Sequence, residues 1–286
     1  MTMAATPATR TVHWAWRSLY LGWRIFAVAA ILFFLGWFAY RGMAANYDFN
    51  WPRALEFLPR YHSGLLITIE VSLVAAVGAT VIGLIIALGR LAPWVVVRDM
   101  SGLYVHTLRN LPFIVVMLIF YFGLRKGIGL GEVTVLGHTF STPFVWGSIA
   151  LALYEASYMA EIIRAGILSI KPEQMEAARS MGMSYMQAMR YVILPQAITL
   201  IIPPSTGIFV GMVKESALLS IIGLHELTRT AVDLFAPVSR PHTFEFYLML
   251  AGYYLIIVVP MSFLSQWLEA RVGVHSRIGE EAARGI

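Results

Sequence analysis

The chain contains no cysteine. That single absence removes disulfide frameworks, thiol nucleophiles, and Cys-ligated zinc or iron–sulfur centres. Charge is scarce as well. Only 13% of the 286 residues are Asp, Glu, Lys or Arg, against about 25% in an ordinary soluble domain. No G-x-x-x-x-G-K-[ST] phosphate loop occurs, so the chain is not expected to hydrolyse ATP itself. Neither H-E-x-x-H nor G-x-S-x-G is present, and His62, His106, His138, His225 and His242 are scattered, which leaves a membrane enzyme without its motif. No internal repeat of the kind that secondary transporters carry is visible.

Apolar residues are abundant instead. They make up 58% of the chain, and mean hydropathy is +0.71, the composition of a polytopic membrane protein in contact with the lipid bilayer. Net charge is +5 and the pI is near 9.5. The basic residues lie scattered between apolar runs, so they read as orientation signals, with no surface for nucleic acid.

Six runs are long enough to count as spans. Residues 25–40 follow a basic stretch with Arg10, Arg17 and Arg24. Met43 spoils the small-x-small pattern of a cleavage site, so a retained, rather short span is expected there. Residues 41–64 read as an interfacial loop with Trp51, Pro52, Phe57, Pro59 and Tyr61. In the second span, 65–88, Ala75, Ala79, Gly83 and Ala87 recur every four residues, a stripe that admits a close neighbour. Glu70 lies in that span, where charge is costly unless it faces protein or water or snorkels. Residues 90–101 read as a basic loop and 103–124 as the third span, broken at Arg109-Asn110-Leu111-Pro112, where proline frees a carbonyl beside a charge. Residues 125–143 form a Gly-rich turn region.

The fourth span, 144–163, has Ser148, Ala152, Ala156 and Ala160 at intervals of four. It carries Glu155 deep within it, and Glu161 close enough to Arg164 to pair. The fifth, 196–213, contains Pro203-Pro204, expected to kink it, and a second close-approach stripe of Pro203, Gly207 and Gly211. Lys214-Glu215-Ser216 follows. Residues 224–245 are a mixed-charge external stretch, 246–263 the last span, and a basic tail closes the chain.

Between the fourth and fifth spans lies a long polar interval, residues 170–195. Lys171-Pro172-Glu173 starts a helix, since proline in the first turn sacrifices no hydrogen bond, and Glu173 and Glu176 complement the positive end of its dipole. Gly182 can adopt the left-handed conformation that closes such a helix. Ser184 and Gln187 form a capping box for a second helix, which Pro195 is expected to end. The reading is helix, sharp turn, helix, presenting Met and Ala to a partner.

Glu176-Ala177-Ala178, three residues, Gly182, nine residues, then Val192-Ile193-Leu194-Pro195 resembles the EAA loop of type I ABC-importer permeases. Valine stands at 192 where isoleucine is usual. Other segments resemble the histidine/glutamine/glutamate permease-like branch that handles polar amino acids: Arg109-Asn110-x-Pro112, the Phe120-Tyr121-Phe122-Gly123 run, the Tyr-rich segment ending Ala160-Glu161-x-x-Arg164, and Lys214-Glu215-Ser216-Ala217-Leu218, with Ala217 in place of the usual serine.

The resemblance implies a five-helix permease core over 61–270, preceded by an added tail, span and external loop over 1–60 and followed by a tail over 271–286. It implies an all-α multi-pass protein of the bacterial inner membrane, a translocation subunit and no enzyme. Its partners are a second permease subunit, identical or sister, two ATP-binding-cassette ATPases, and an external solute-binding protein. ATP and Mg belong to the ATPases; this chain needs no cofactor or metal. Glu176, Ala177, Ala178, Gly182, Leu194 and Pro195 would couple to the ATPase. Glu70, Arg109, Asn110, Glu155, Lys214, Glu215 and Ser216 are candidates for the substrate path. With six spans, one side holds twelve Lys and Arg residues and the other eight. The richer side is usually cytoplasmic, which puts both termini and the EAA loop inside. The rival reading is a stand-alone secondary transporter or channel using the intramembrane Glu and Arg residues.

Overall fold

The computed structural model describes residues 30, 33–34, 36–38, 40–42, 47, 49–238 and 243–284. The N-terminal tail and most of the expected first span lie outside the described residues. Two compact units divide between Trp51 and Pro52, within the first turn of a short helix, Trp51–Leu55, that is described with the second unit. In the first, the described residues between 30 and 42 are helical, and Tyr47 meets Phe49 edge to face at 4.9 Å.

The second unit is almost wholly helical. In order it contains α1 (Trp51–Leu55), α2 (Leu58–Leu91), α3 (Val95–Arg109), α4 (Phe113–Leu118), a π-helical stretch Ile119–Leu124, α5 (Arg125–Ile128), the antiparallel strands β1 (Val133–Val135) and β2 (His138–Phe140), and α6 (Thr142–Leu168). Then come α7 (Pro172–Ser180), α8 (Tyr185–Ala188), a second π-helical stretch Met189–Ile193, α9 (Leu194–Glu215), a 3-10 segment Ser216–Ile222, α10 (Leu227–Val238) and α11 (Thr243–Arg284).

Among the described residues, Leu58–Leu91, Tyr185–Ile222 and Phe244–Arg271 are each long and apolar enough to cross a bilayer. Val95–Arg109 and Phe113–Ile128 make a fourth crossing if the pair is one span, bent by 105° at the break. The Asn110-Leu111-Pro112 break is the one expected from proline. The expected loop at 90–101 is corrected, because α3 already begins at Val95: Val95-Val96-Val97 lies just past Pro93, and helix follows at once. The expected loops at 41–64 and 224–245 are likewise partly helical. Pro59 sits in the first turn of α2, where a missing N–H is harmless.

The core forms where α2 lies against α6. Ala75, Ala79, Ala87, Ala152, Ala156 and Ala160 are all buried, as the four-residue spacing predicts. Gly83 shows why the stripe must be small: a Cβ there would lie 2.8 Å from Met159 Cβ and 3.2 Å from the Ala156 carbonyl oxygen. With backbones this close, dispersion and packing hold the helices together in a solvent that offers no hydrophobic drive. Gly207, expected in the second stripe, has nothing within 4 Å of the place a Cβ would take; spacing alone does not make a contact. α9 runs through Pro203 and Pro204 without interruption.

A smaller cluster caps the bundle at the α2 N-terminus. Tyr61, Leu227, Leu234 and Phe246 are buried together, and Tyr61 donates to the Phe246 carbonyl at 2.8 Å. Glu226, fully buried, immediately precedes α10. Its carboxylate accepts the backbone N–H groups of Thr228 (2.8 Å) and Arg229 (2.7 Å) and the Tyr254 hydroxyl at 3.3 Å.

Candidate functional site: a helical hairpin on two long arms

The hairpin folds as its residues direct. Pro172 occupies the first turn of α7, with Glu173 beside it. At the other end Gly182 has φ +87°. Its N–H donates to the Arg179 carbonyl at 3.0 Å, and the Met183 N–H to the Ala178 carbonyl at 3.2 Å, the paired closure of a Schellman turn. Ser184 then accepts from the Gln187 N–H at 3.3 Å while its own N–H donates to Gln187 Oε1 at 2.8 Å, so the capping box is complete. Ala178 and Ala188 are buried. Glu176, Ala177, Met181 and Met186 are exposed, the methionines at 79% and 71%.

Pro195 does not end the second helix, contrary to the expectation. The chain passes through the wide turn Met189–Ile193, in which the Leu194 N–H reaches back five residues to the Met189 carbonyl, and Pro195 falls in the first turn of α9. A π-turn gives the proline ring room where a tight α-turn would clash. Tyr185–Ile222 is therefore one helix of 38 residues. The hairpin grows out of α6 on one side and continues into α9 on the other. Near its root the two arms touch: a Cβ at Gly166 would run into the Ile201 side chain. Beside it Glu161 ties α6 to the end of α2. Arg164 holds it from the same helix, with Nε donating to Oε2 at 3.2 Å and Nη2 bonding Oε1, and Arg90 reaches it from the end of α2 at 3.3 Å. The Glu161–Arg164 pair follows from its spacing; Arg90 lies 71 positions away, and nothing in the sequence announces it.

The seven residues considered for a substrate path do not form one group. Glu155 is 5% exposed and lies beside Glu215 across the α6–α9 seam. Glu215 Oε2 is buried without a hydrogen-bond partner. The facing wall is Gly211, whose Cβ position is 3.7 Å from Glu155 Oε1. Tyr154 and Tyr158 flank the pair, their hydroxyls 3.3 Å apart, and Arg109 stacks over the Tyr158 ring at 5.1 Å. Phe113 closes on Tyr154 at 5.2 Å. Both tyrosines belong to the Tyr-rich segment of the sequence, and their four-residue spacing is the signal that could have placed them on one face.

The other candidates lie elsewhere. Asn110 is exposed and donates to the His106 carbonyl at 2.7 Å. Ser216 is buried, its hydroxyl donating to the Val213 carbonyl at 2.8 Å, so its polarity serves the backbone. Lys214 is exposed. Glu70 is exposed on the face of α2 opposite the α6 contact. Among the described residues, no three His, Asp or Glu side chains converge as a metal site requires.

Residues 79–274 match the family described as binding-protein-dependent transport system inner membrane component. The chain belongs to that family. It is thus an inner-membrane transport component, and a carrier working alone is not what this membership supports. Among curated relatives, the Bacillus subtilis protein named "Probable glutamine ABC transporter permease protein GlnM" is 36% identical over 213 residues, covering 74% of this chain and 93% of that one. The Escherichia coli O6:H1 glutamate/aspartate import permease protein GltK is 30% identical over 226 residues, 79% of this chain and 99% of its own. Among solved structures, an amino acid ABC transporter crystallised with histidines superposes with TM-score 0.69 at 35% identity, covering 78% of this chain and 99% of that chain.

Proposed function

We propose that this chain is the permease subunit of an ATP-binding-cassette importer that takes up polar amino acids delivered by an external solute-binding protein. The observation that carries the reading is the closed hairpin Pro172–Ser180, Gly182 and Tyr185–Ala188, mounted on α6 and continuous with α9. The chain crosses the membrane six times with both termini in the cytoplasm, where the hairpin meets one of two ATPases that bind ATP and Mg. A second permease, identical or sister, completes the pathway. Glu176 is the polar anchor; Ala177, Ala178 and Gly182 keep the surface close and the turn tight; Leu194 and Pro195 set the join to α9.

When the ATPases close on ATP, the docked hairpins move together. Because each hairpin is a rigid extension of two long helices, the motion is transmitted as rotation of α6 and α9, and access switches from one side to the other. The solute passes the seam where Glu155 of α6 faces Gly211 and Glu215 of α9. Their carboxyl oxygens and the Tyr154 hydroxyl are acceptors suited to an ammonium group, and an α-amino acid always carries one. Polar amino acids are also what the named relatives and the crystallised neighbour handle.

The test is a pull-down of the detergent-solubilised chain with the ATPase encoded beside it, wild type against Glu176→Lys. Co-purification with the wild type and its loss in the variant support the reading. A wild-type chain that retains no ATPase overturns it.

A further inference from the structure

The outer side of α2 carries two features that the transport reading leaves unused. Leu73, Ala76 and Val77 of α2, Phe209 and Val213 of α9, and Ile257 of α11 line an open groove of about 590 Å³. Its two hydroxyls are spent within their own helix, Ser72 on the Thr68 carbonyl at 2.7 Å and Thr80 on the Ala76 carbonyl at 2.8 Å. The groove therefore offers an occupant nothing except hydrocarbon. Glu70 stands one turn beyond Leu73 toward the α2 N-terminus, on the exposed stripe shared by Leu66, Leu73 and Val77 at 59%, 61% and 68%.

Side chains on a helix tilt toward its N-terminus. The Glu70 carboxylate thus leans out of the groove toward the nearer bilayer boundary, about 7.5 Å inside the apolar run at 1.5 Å per residue. Among the described residues it has no cationic partner. A carboxylate at that depth is costly unless it reaches water or pairs with a cation, and the described part of the bundle supplies no cation.

We propose that the α2–α9–α11 groove is a phospholipid site that holds one acyl chain of a lipid with a primary ammonium headgroup, the ammonium pairing with Glu70. The two observations are independent and describe the two ends of one molecule. The chain needs a long, unbranched apolar slot with no hydrogen-bonding demand; the headgroup needs an anion one turn farther out. Because α9 is the arm that continues from the hairpin, the lipid seats against an element that moves during transport.

The delipidated full-length chain, titrated in detergent with phosphatidylethanolamine or phosphatidylcholine of matched chains, is read by native mass spectrometry. Wild type should retain the ethanolamine lipid severalfold more than the choline lipid. Glu70→Gln should abolish that preference while still binding lipid, and Val77→Trp, at an exposed groove position, should weaken binding of both. Size-exclusion profiles matching wild type confirm that the variants fold. Equal retention of both lipids by wild type, or a preference unchanged in Glu70→Gln, overturns the proposal. Because the chain lacks cysteine, Glu70→Cys introduces a single thiol. Ready disulfide dimers through it would assign this face to a second copy and overturn the lipid site as well.

Discussion

Gly182 separates two explanations of why the hairpin needs glycine. Its φ of +87° is a conformation that L-residues other than Asn or Asp rarely adopt, and adding a Cβ costs about 1–2 kcal/mol. The space around it is empty: nothing lies within 4 Å of a Cβ there. Strain, and no clash within this chain, is the expected penalty. Gly182→Ala should therefore reduce the population of the closed turn by roughly five- to thirtyfold relative to open states, at about 1.4 kcal/mol per decade. Gly182→Val, β-branched, should be worse, and Gly182→Asn should retain most of the closed turn because Asn tolerates the left-handed region. The assay is hydrogen exchange at Gly182 and Met183, whose N–H groups close the turn, read beside ATP-driven uptake in proteoliposomes. The order Gly, Asn, Ala, Val in both readouts is predicted. If Asn uncouples transport as fully as Val while exchange stays slow, close docking is the reason for glycine and the conformational argument fails. If Val transports normally, both arguments fail.

Three further outcomes follow from the same structure. Ser184→Ala removes the cap acceptor of the second hairpin helix and should cost about 0.5–2 kcal/mol, seen as faster exchange at Gln187. Gly83→Val drives side-chain atoms into Met159 and the Ala156 carbonyl and should lower stability by about 1–3 kcal/mol, whereas Gly102→Ala, inside α3 with nothing within 4 Å, should raise the melting temperature slightly. Glu226 lies outside the apolar runs; burial pushes its carboxyl up to about 7, partly offset by the Thr228 and Arg229 N–H groups. Because the folded value is raised, its contribution to stability is complete below about pH 4.5 and is lost as pH rises through about 7. Thermal stability should fall between pH 5 and 8 in wild type, and the fall should be smaller in Glu226→Gln; an equal fall in both would remove Glu226 as its source.

The hairpin was legible because its signals are local. Pro172, Gly182, and the Ser184–Gln187 pair each act within a few residues, and all three do what their chemistry prescribes. The small-residue stripe of α2 was legible for a similar reason, since four-residue spacing is a property of one helix. What the stripe touches is not. Gly207 obeys the spacing and faces open space, while Gly166, outside any stripe, meets Ile201. The Arg90–Glu161 contact and the meeting of Glu155 with Glu215 join distant parts of the chain, and only tertiary packing brings them together. Glu70 shares their charge and apolar setting, yet the phase of α2 turns it the other way. Pro195 misleads for a different reason: a stop in an α-helix becomes an accommodated residue once the preceding turn widens.

The central claim is that residues 172–188 form the surface on which the ATPase docks. Single cysteines at Glu176, Met181 and Met186, introduced into this cysteine-free chain, can be cross-linked in the assembled complex, with Leu136→Cys at the tip of the β1–β2 turn as the distant control. The account predicts adducts with the ATPase from all three hairpin positions and none from 136. ATPase adducts from 136, or none from the hairpin in a complex that remains assembled, would contradict it.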